Sequence, residues 1–335
     1  MGWETRIISE AALSPYLDHE AAPGLRAQVD ALIAQQQTAW PMLREAIAGL
    51  AEVEYQQFNV RGSEVFAQFN PKRIVSTAAR VDATTIKQRP CFLCPENLPP
   101  EEKGITFGPE FIVLCNPFPV LRRHLVIASR RHTPQTIAGN FGALLDLAQG
   151  LGADYFALYN GPACGASAPD HLHFQACSRE LLPIIREAET WQRHQLSGAG
   201  ELEIFTLPDY RVNLLVACGK ERSPLITWFE RTTACLAAVT GGSDPEPMLN
   251  LVVTFGPAGW TILFFPRGKH RPACYYADGE AKLTVSPAAI DLAGVLVVPD
   301  ASHFARISER DIEQIYLEVT LDTPRFAEWL RLCGD

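Results

Sequence analysis

The stretch Asn160–Ala176, NGPACGASAPDHLHFQA, constrains the fold of this chain more than any other. It follows an apolar run, Tyr155–Tyr159, that reads as a strand. Small residues come next (Gly161, Ala163, Gly165, Ala166, Ser167), and the chain returns as the alternating run His171-Leu172-His173-Phe174-Gln175. In a strand, residues i, i+2 and i+4 share one face, so His171, His173 and Gln175 point one way while Leu172 and Phe174 point into a core. Backbone N–H groups of a small-residue loop hold oxyanions, and an imidazole attacks phosphorus, so the pattern suits phosphate chemistry. A polar strand face carrying two solvated histidines has the same alternation; the glycine-containing turn before it argues for phosphate chemistry.

At 335 residues the chain is long enough for a large core, and length alone suggests about two domains. Its formal charge of −9 argues against bulk affinity for nucleic acid, though local basic clusters can still bind phosphates. No apolar run approaches the roughly 18–20 residues of a membrane span. The start, MGWETRIISEAALSPYL, has an early Glu4 and no long apolar segment, unlike a secretory signal. Nine cysteines are scattered, several within apolar runs (Cys115, Cys218, Cys235), as in a reduced cytoplasmic protein rather than a disulfide framework.

Apolar residues at three- and four-residue spacing predict helix from Gly24 to Val53, restarted at Pro41. Extended character follows over 54–74, with Arg61-Gly62-Ser63 as a hairpin turn and a basic loop at Asn70-Pro71-Lys72-Arg73. Phe111–Cys115 and His124–Ala128 read as strands joined by Asn116-Pro117-Phe118-Pro119, and a helix is expected from about Thr136 to Leu151. Trp191–Ala199 reads as a linker. Beyond it lie a strand from Tyr210, a helix at Pro224–Val239, and a hairpin of Leu249–Thr254 with Trp260–Phe265 that ends in the basic loop PRGKHRP. A strand at Ala293–Val298 and helices at Ser308–Val319 and Pro324–Leu332 finish the chain. The pattern predicts an α+β protein: an N-terminal helical extension (1–53) and two related halves of antiparallel sheet plus helix (54–190 and 200–335), a duplicated arrangement. Arg73, Arg267 and Lys269, in the basic loops, are candidate phosphate contacts.

Cys91 and Cys94 lie two residues apart between Pro90 and Pro95, a knuckle that can chelate half of a tetrahedral Zn²⁺ site. A redox pair and two buried free thiols are the alternatives; Pro99-Pro100 and an acidic loop follow, not the helix of a thioredoxin-like motif.

His171-Leu172-His173-Phe174-Gln175, preceded by Gly165-Ala166-Ser167, resembles the H-x-H-x-Q signature of the nucleotidyltransferase branch of the histidine-triad (HIT-like) superfamily. That branch includes galactose-1-phosphate uridylyltransferases, diadenosine tetraphosphate phosphorylases and GDP-hexose (GDP-galactose) phosphorylases, and HLHFQA is most similar to the last. Asn116–Pro119 through Ile127 resembles the superfamily's first hairpin, which sits beside the nucleotide, and LNLVVT…WTILFFPRGKHRP resembles the second half of the phosphorylases. The likeness spans about residues 55–305. It implies that His173 is a nucleophile attacking the α-phosphorus of a nucleoside diphosphate hexose or a dinucleotide, with its tautomer set by a backbone carbonyl. Gln175 would steady the phosphate; as an amide it cannot relay protons, which favours transfer to phosphate or a sugar phosphate over hydrolysis. Asn160, Gly165, Ala166, Ser167 and Asn116 match the substrate-binding segments. By likeness to the uridylyltransferases, Cys91, Cys94, His132 and His171 would hold a structural zinc ion. One more residue separates Pro169 from His171 than in that family, which makes Asp170 either a turn residue or one that orients the site. The partners implied are a nucleotide or nucleotide sugar and phosphate or a sugar phosphate, with no nucleic acid or membrane, and a homodimer as a possible assembly. Outside the enzymes, a non-catalytic zinc-stabilised nucleotide-binding protein is the alternative.

Overall fold

A computed structural model describes residues 2–18, 24–77, 83–197, 202–242 and 245–334. Among the described residues, thirteen strands follow in chain order. β1 (Glu54–Val60) and β2 (Ser63–Phe69) are the predicted hairpin. β3 (Ile105–Phe107), β4 (Phe111–Cys115), β5 (Leu125–Ser129), β6 (Tyr155–Asn160) and β7 (His173–Ser178) follow. The second set is β8 (His194–Ser197), β9 (Leu202–Thr206), β10 (Leu215–Gly219), β11 (Leu249–Gly256) and β12 (Gly259–Pro266), and β13 (Val295–Val297) comes last.

Ten of these strands form one sheet in the order β3-β4-β5-β7-β6-β11-β12-β10-β9-β8. The two halves repeat the same plan. Each runs through three antiparallel strands, a helix (Phe141–Leu151 or Arg222–Thr240) and a closing hairpin, and the halves meet where β6 pairs with β11. Alternation then sends successive side chains to opposite faces. Phe174, Ala176, Tyr159 and Leu251 join the core beneath the long helices, where Leu144, Leu145, Phe229 and Trp329 pack. Phe156, Leu158, Cys177 and Leu263 face a second core on the other side.

That other side departs from the sequence reading. The β1–β2 hairpin does not join the large sheet: β2 pairs in parallel with β13, more than two hundred residues away, in a separate three-stranded sheet. A strand partner so distant leaves no local trace in sequence. The stretch read as a linker also contains a strand, since His194–Ser197 pairs with β9 at the sheet edge; residues 198–201 lie outside the described residues. Among the described residues, no helix is long and apolar enough to cross a membrane.

Candidate functional site

The three-stranded sheet and the helices beside it cover only part of this face. Over β7, β5 and the end of β4 a cavity of about 750 Å³ remains, a size usual for ligand sites. The alternation of β7 turns His173 and Gln175 into it.

His173 is 5% exposed and held on three sides. Its Nδ1 lies 2.9 Å from the His171 carbonyl oxygen. A carbonyl only accepts, so Nδ1 carries the proton and the lone pair sits on Nε2. Burial, opposed mainly by that hydrogen bond, lowers the imidazole pKa to about 4 and keeps the ring neutral near pH 7. The backbone is clamped as well. β6 and β7 part company beyond the Leu158–Gln175 pair, and the carboxamide of Gln135 fills the gap. It donates to the carbonyls of Asn160 (2.9 Å) and His173 (3.0 Å) and accepts the N–H of His173 (2.8 Å). Nothing in the sequence around Gln135 marks this role.

Gln175 is oriented by His124, also unmarked by any motif. The Val120 N–H donates to His124 Nδ1 at 3.1 Å, so His124 carries its proton on Nε2 and donates to Gln175 Oε1 at 2.8 Å. With its oxygen engaged there, the amide of Gln175 presents its N–H₂ as the remaining polar group. Burial pushes His124 down to about 3, so it remains a neutral donor. His124, Val126 and Ala128 alternate onto one face of β5, a visible signal, but the pairing with β7 that brings His124 to Gln175 is not readable locally.

The loop after β6 brings Asn160, Gly165, Ala166 and Ser167 to the same cavity. Gly165 has φ +115°, and a Cβ there would lie 2.6 Å from the Cβ of Ala288, so only glycine fits. The oxygen of Asn160 accepts from Asn250 Nδ2 and from the Ala289 N–H, both at 2.9 Å. The second half thus fixes a first-half residue. Arg73 and Asn116, read from sequence as substrate contacts, line the cavity, with Arg73 donating to the Phe118 carbonyl at 2.8 Å. His270, Arg271 and Asp291 line it too.

Two predicted phosphate contacts are placed elsewhere. Arg267 is 1% exposed and spends its donors on Asn250 Oδ1 and the carbonyls of Val319, Pro287, Lys269 and His270. It shapes the loop that carries His270 and supports Asn250. Lys269 pairs with Glu318 at 2.6 Å and does not line the cavity.

Cys91, Cys94, His132 and His171 converge next to this site, their ligand atoms all within 4.8 Å of one another. Cys91 Sγ lies 3.3 Å from His171 Nδ1, Cys94 Sγ 3.3 Å from His132 Nδ1 and 3.6 Å from His171 Nδ1. Tetrahedral bonds of about 2.3 Å to sulfur and about 2.0 Å to nitrogen put such atoms roughly 3.5 Å apart, so the set fits a metal ion. His171 Nε2 donates to the Ser129 carbonyl at 2.8 Å, which leaves Nδ1 as the ligand atom. Burial pushes the Cys94 thiol up to about 12, with Cys91 adding to the shift, so ionising the pair calls for a cation. Asp170 accepts from Arg89 at 3.2 Å and lies 3.8 Å from His132 Nε2, which places it with the orienting groups rather than on a bare turn.

Yeast Ap4A phosphorylase Apa2 in complex with AMP superposes with a TM-score of 0.57 at 14% identity, over 86% of this chain and 97% of that one. The chain has the HIT-like fold of an Ap4A phosphorylase. The same yeast protein in complex with Ap4A gives 0.56 at 13% identity, with the same coverage. A uridylyltransferase structure aligns with a TM-score of 0.41 at 12% identity, over 73% of this chain and 90% of that one. By sequence, residues 185–335 of this phosphorylase-fold chain match the family described as GDPGP1-like, C-terminal domain. Residues 32–178 match a domain of unknown function, DUF4922. No curated protein matches the chain.

Proposed function

We propose that this chain is a nucleotidyltransferase of the phosphorylase type, acting on a nucleoside diphosphate hexose through a nucleotidyl-histidine. The observation that carries the reading is the state of His173: neutral, with Nδ1–H tied to the His171 carbonyl and the Nε2 lone pair left for the substrate. In the first step Nε2 attacks the α-phosphorus. The bond from phosphorus to the bridging oxygen breaks, and hexose 1-phosphate leaves with that electron pair. In the second step an oxygen of inorganic phosphate attacks the same phosphorus and returns the electron pair to Nε2, giving a nucleoside diphosphate. Gln175, its oxygen tethered to His124, donates its amide N–H to a nonbridging oxygen and offers no proton relay to water. The Asn160–Ser167 loop and Arg73 bind the phosphates.

The resemblance of HLHFQA to the GDP-hexose phosphorylases and the GDPGP1-like match of the second half favour a GDP-sugar. A second reading, phosphorolysis of a dinucleoside polyphosphate, draws on the fold shared with Ap4A phosphorylase. Either a phosphate or a sugar phosphate is the acceptor. We assign Zn²⁺ to Cys91, Cys94, His132 and His171 as a structural ion that fixes the approach to β7. All nine cysteines are free, as suits a reducing cytoplasm.

The test is a screen of GDP-, UDP- and ADP-sugars and Ap4A, each labelled at the α-phosphate, with and without inorganic phosphate. Label should accumulate on His173 without acceptor and be discharged by phosphate. Equal product formation in the absence of phosphate would refute transfer, and label retained by His173→Ala would refute the nucleophile.

A further inference from the structure

The cavity extends past the phosphate-binding loop, and its far end is built differently. β7 is separated from β3 by β5 and β4, three strand spacings or roughly 14 Å. Glu102, shortly before β3, lines that far end and is 5% exposed. Its N–H is bonded to the Pro99 carbonyl at 3.1 Å, but its carboxyl group has no hydrogen-bond or ion-pair partner among the described residues. The cation whose charge acts on it, Arg6, makes no ion pair with it. Arg6 is committed to the carbonyls of Pro95 (3.0 Å), Leu98 (2.8 Å) and Pro99 (2.6 Å), and so shapes the loop that presents Glu102. Burial, with only partial relief from Arg6, lifts the carboxyl pKa to about 8, so the empty site holds a protonated acid near pH 7 and the two donors of a guanine edge would draw out its carboxylate form. A buried, unpartnered carboxyl group is costly and calls for a ligand.

Other walls of the same cavity point to the kind of ligand. Met42, Phe92 and Phe118 are large apolar residues, yet they are 41%, 46% and 44% exposed, and all three line this cavity. Arg89 backs the Phe92 ring at 4.8 Å. Exposed aromatic and thioether surface is a platform for a flat ring.

We infer that Glu102 reads the nucleobase and selects guanine, its two oxygens accepting the N1–H and 2-amino hydrogens of a base laid on the Met42–Phe92–Phe118 wall. The inference rests on the nucleotidyltransferase reading, which fixes the α-phosphate at His173. A carboxylate only accepts, in parallel pairs. Guanine presents two adjacent donors on its Watson–Crick edge. Adenine presents a donor beside an acceptor, and uracil a single donor between two acceptors. Adenine and uracil would therefore leave one oxygen unsatisfied against an acceptor.

The experiment is calorimetric binding of GDP, IDP (which lacks the 2-amino group), ADP and UDP to the full chain, to Glu102→Gln and to Glu102→Ala, with thermal melts to verify folding. The wild type should bind GDP at least about tenfold more tightly than IDP, ADP or UDP, the size of one hydrogen bond to a charged group. Both variants should lose that preference while holding ADP within about threefold of wild type. Tighter binding of ADP than GDP by the wild type would overturn the inference, because a protonated acid would then be reading adenine. Equal weakening of all four nucleotides in the variants would overturn it too, by placing Glu102 on the ribose. Failure of the wild type to bind any nucleotide would bring down the nucleotidyltransferase reading along with this one. Labelling of His173 by GDP- and ADP-sugars alike, whatever stands at position 102, would sink only the assignment of Glu102.

Discussion

Gln135 does the work of a missing rung in the sheet, and its removal should be felt in both stability and rate. Gln135→Ala strips partners from three buried backbone groups at once: the Asn160 carbonyl, the His173 carbonyl and the His173 N–H. At about 1 kcal/mol net for each lost hydrogen bond, the cost is about 3 kcal/mol. With a urea slope near 3 kcal/mol per molar for a chain of this size, the unfolding midpoint should fall by roughly 1 M. Freed from its clamp, the His173 backbone should also drift. If His173 is the nucleophile proposed above, its misplacement costs on the order of tenfold to a hundredfold in kcat, while KM changes little because Gln135 touches no substrate. Gln135→Glu separates the two halves of the account. It keeps an acceptor for the His173 N–H but sets carboxylate oxygens against two carbonyls, so it should be at least as destabilising as alanine. A midpoint for Gln135→Ala within about 0.2 M of wild type would refute the reasoning, as would a stable Gln135→Glu protein.

His124→Ala should leave Gln175 free to rotate, lowering turnover about tenfold or more without changing the labelling site; unchanged turnover would show that the tether is idle. Cys91→Ser should reduce bound zinc by one equivalent per chain by elemental analysis and lower the melting temperature, and full zinc content would reject the assigned ligand set. Acid should destabilise the fold through its buried neutral histidines. Burial holds His124 near 3 and His270 near 4, below the ordinary 6.5, so the unfolded chain takes up protons that the native state refuses. Stability from these groups is therefore fully present above about pH 6.5 and falls, by on the order of a few kcal/mol, as pH drops toward 4. Urea midpoints that stay flat across that window would contradict their burial as neutral rings.

Much of the first half was legible because its chemistry is local. Two-residue alternation turned His173 and Gln175 to one side and Phe174 to the other, and the structure keeps that division, while His171, read onto the same face, precedes β7 and turns to the cysteines instead. The knuckle of Cys91 and Cys94 meets His132 and His171 in space. What sequence hid was direction and distance. Basic loops advertise charge, yet Arg267 turns inward to satisfy carbonyls, and only packing decides that. Gln135 and His124 act through partners 25, 38 and 51 residues away, Glu102 stands out by lacking a side-chain partner among the described residues, and none carries a motif of its own. The β1–β2 hairpin was readable as a hairpin; its attachment to β13 was not, because parallel pairing across most of the chain depends on the finished fold.

The seam between β6 and β11 has a consequence for how such a chain can be divided. Every residue of β6 is buried, and its outer edge is covered only by the second half. A first half expressed alone would keep His173 but present that strand as a bare, apolar hydrogen-bonding edge. It would also lose Asn250 and Ala289, which hold Asn160 in place. The readiest cover for such an edge is the same strand of another copy, so a severed half would be driven to pair with itself or precipitate. The second half, with Thr261 and Leu263 at the strand positions that correspond to His173 and Gln175, thus works as a permanently attached partner whose own closing hairpin carries no matching imidazole and amide.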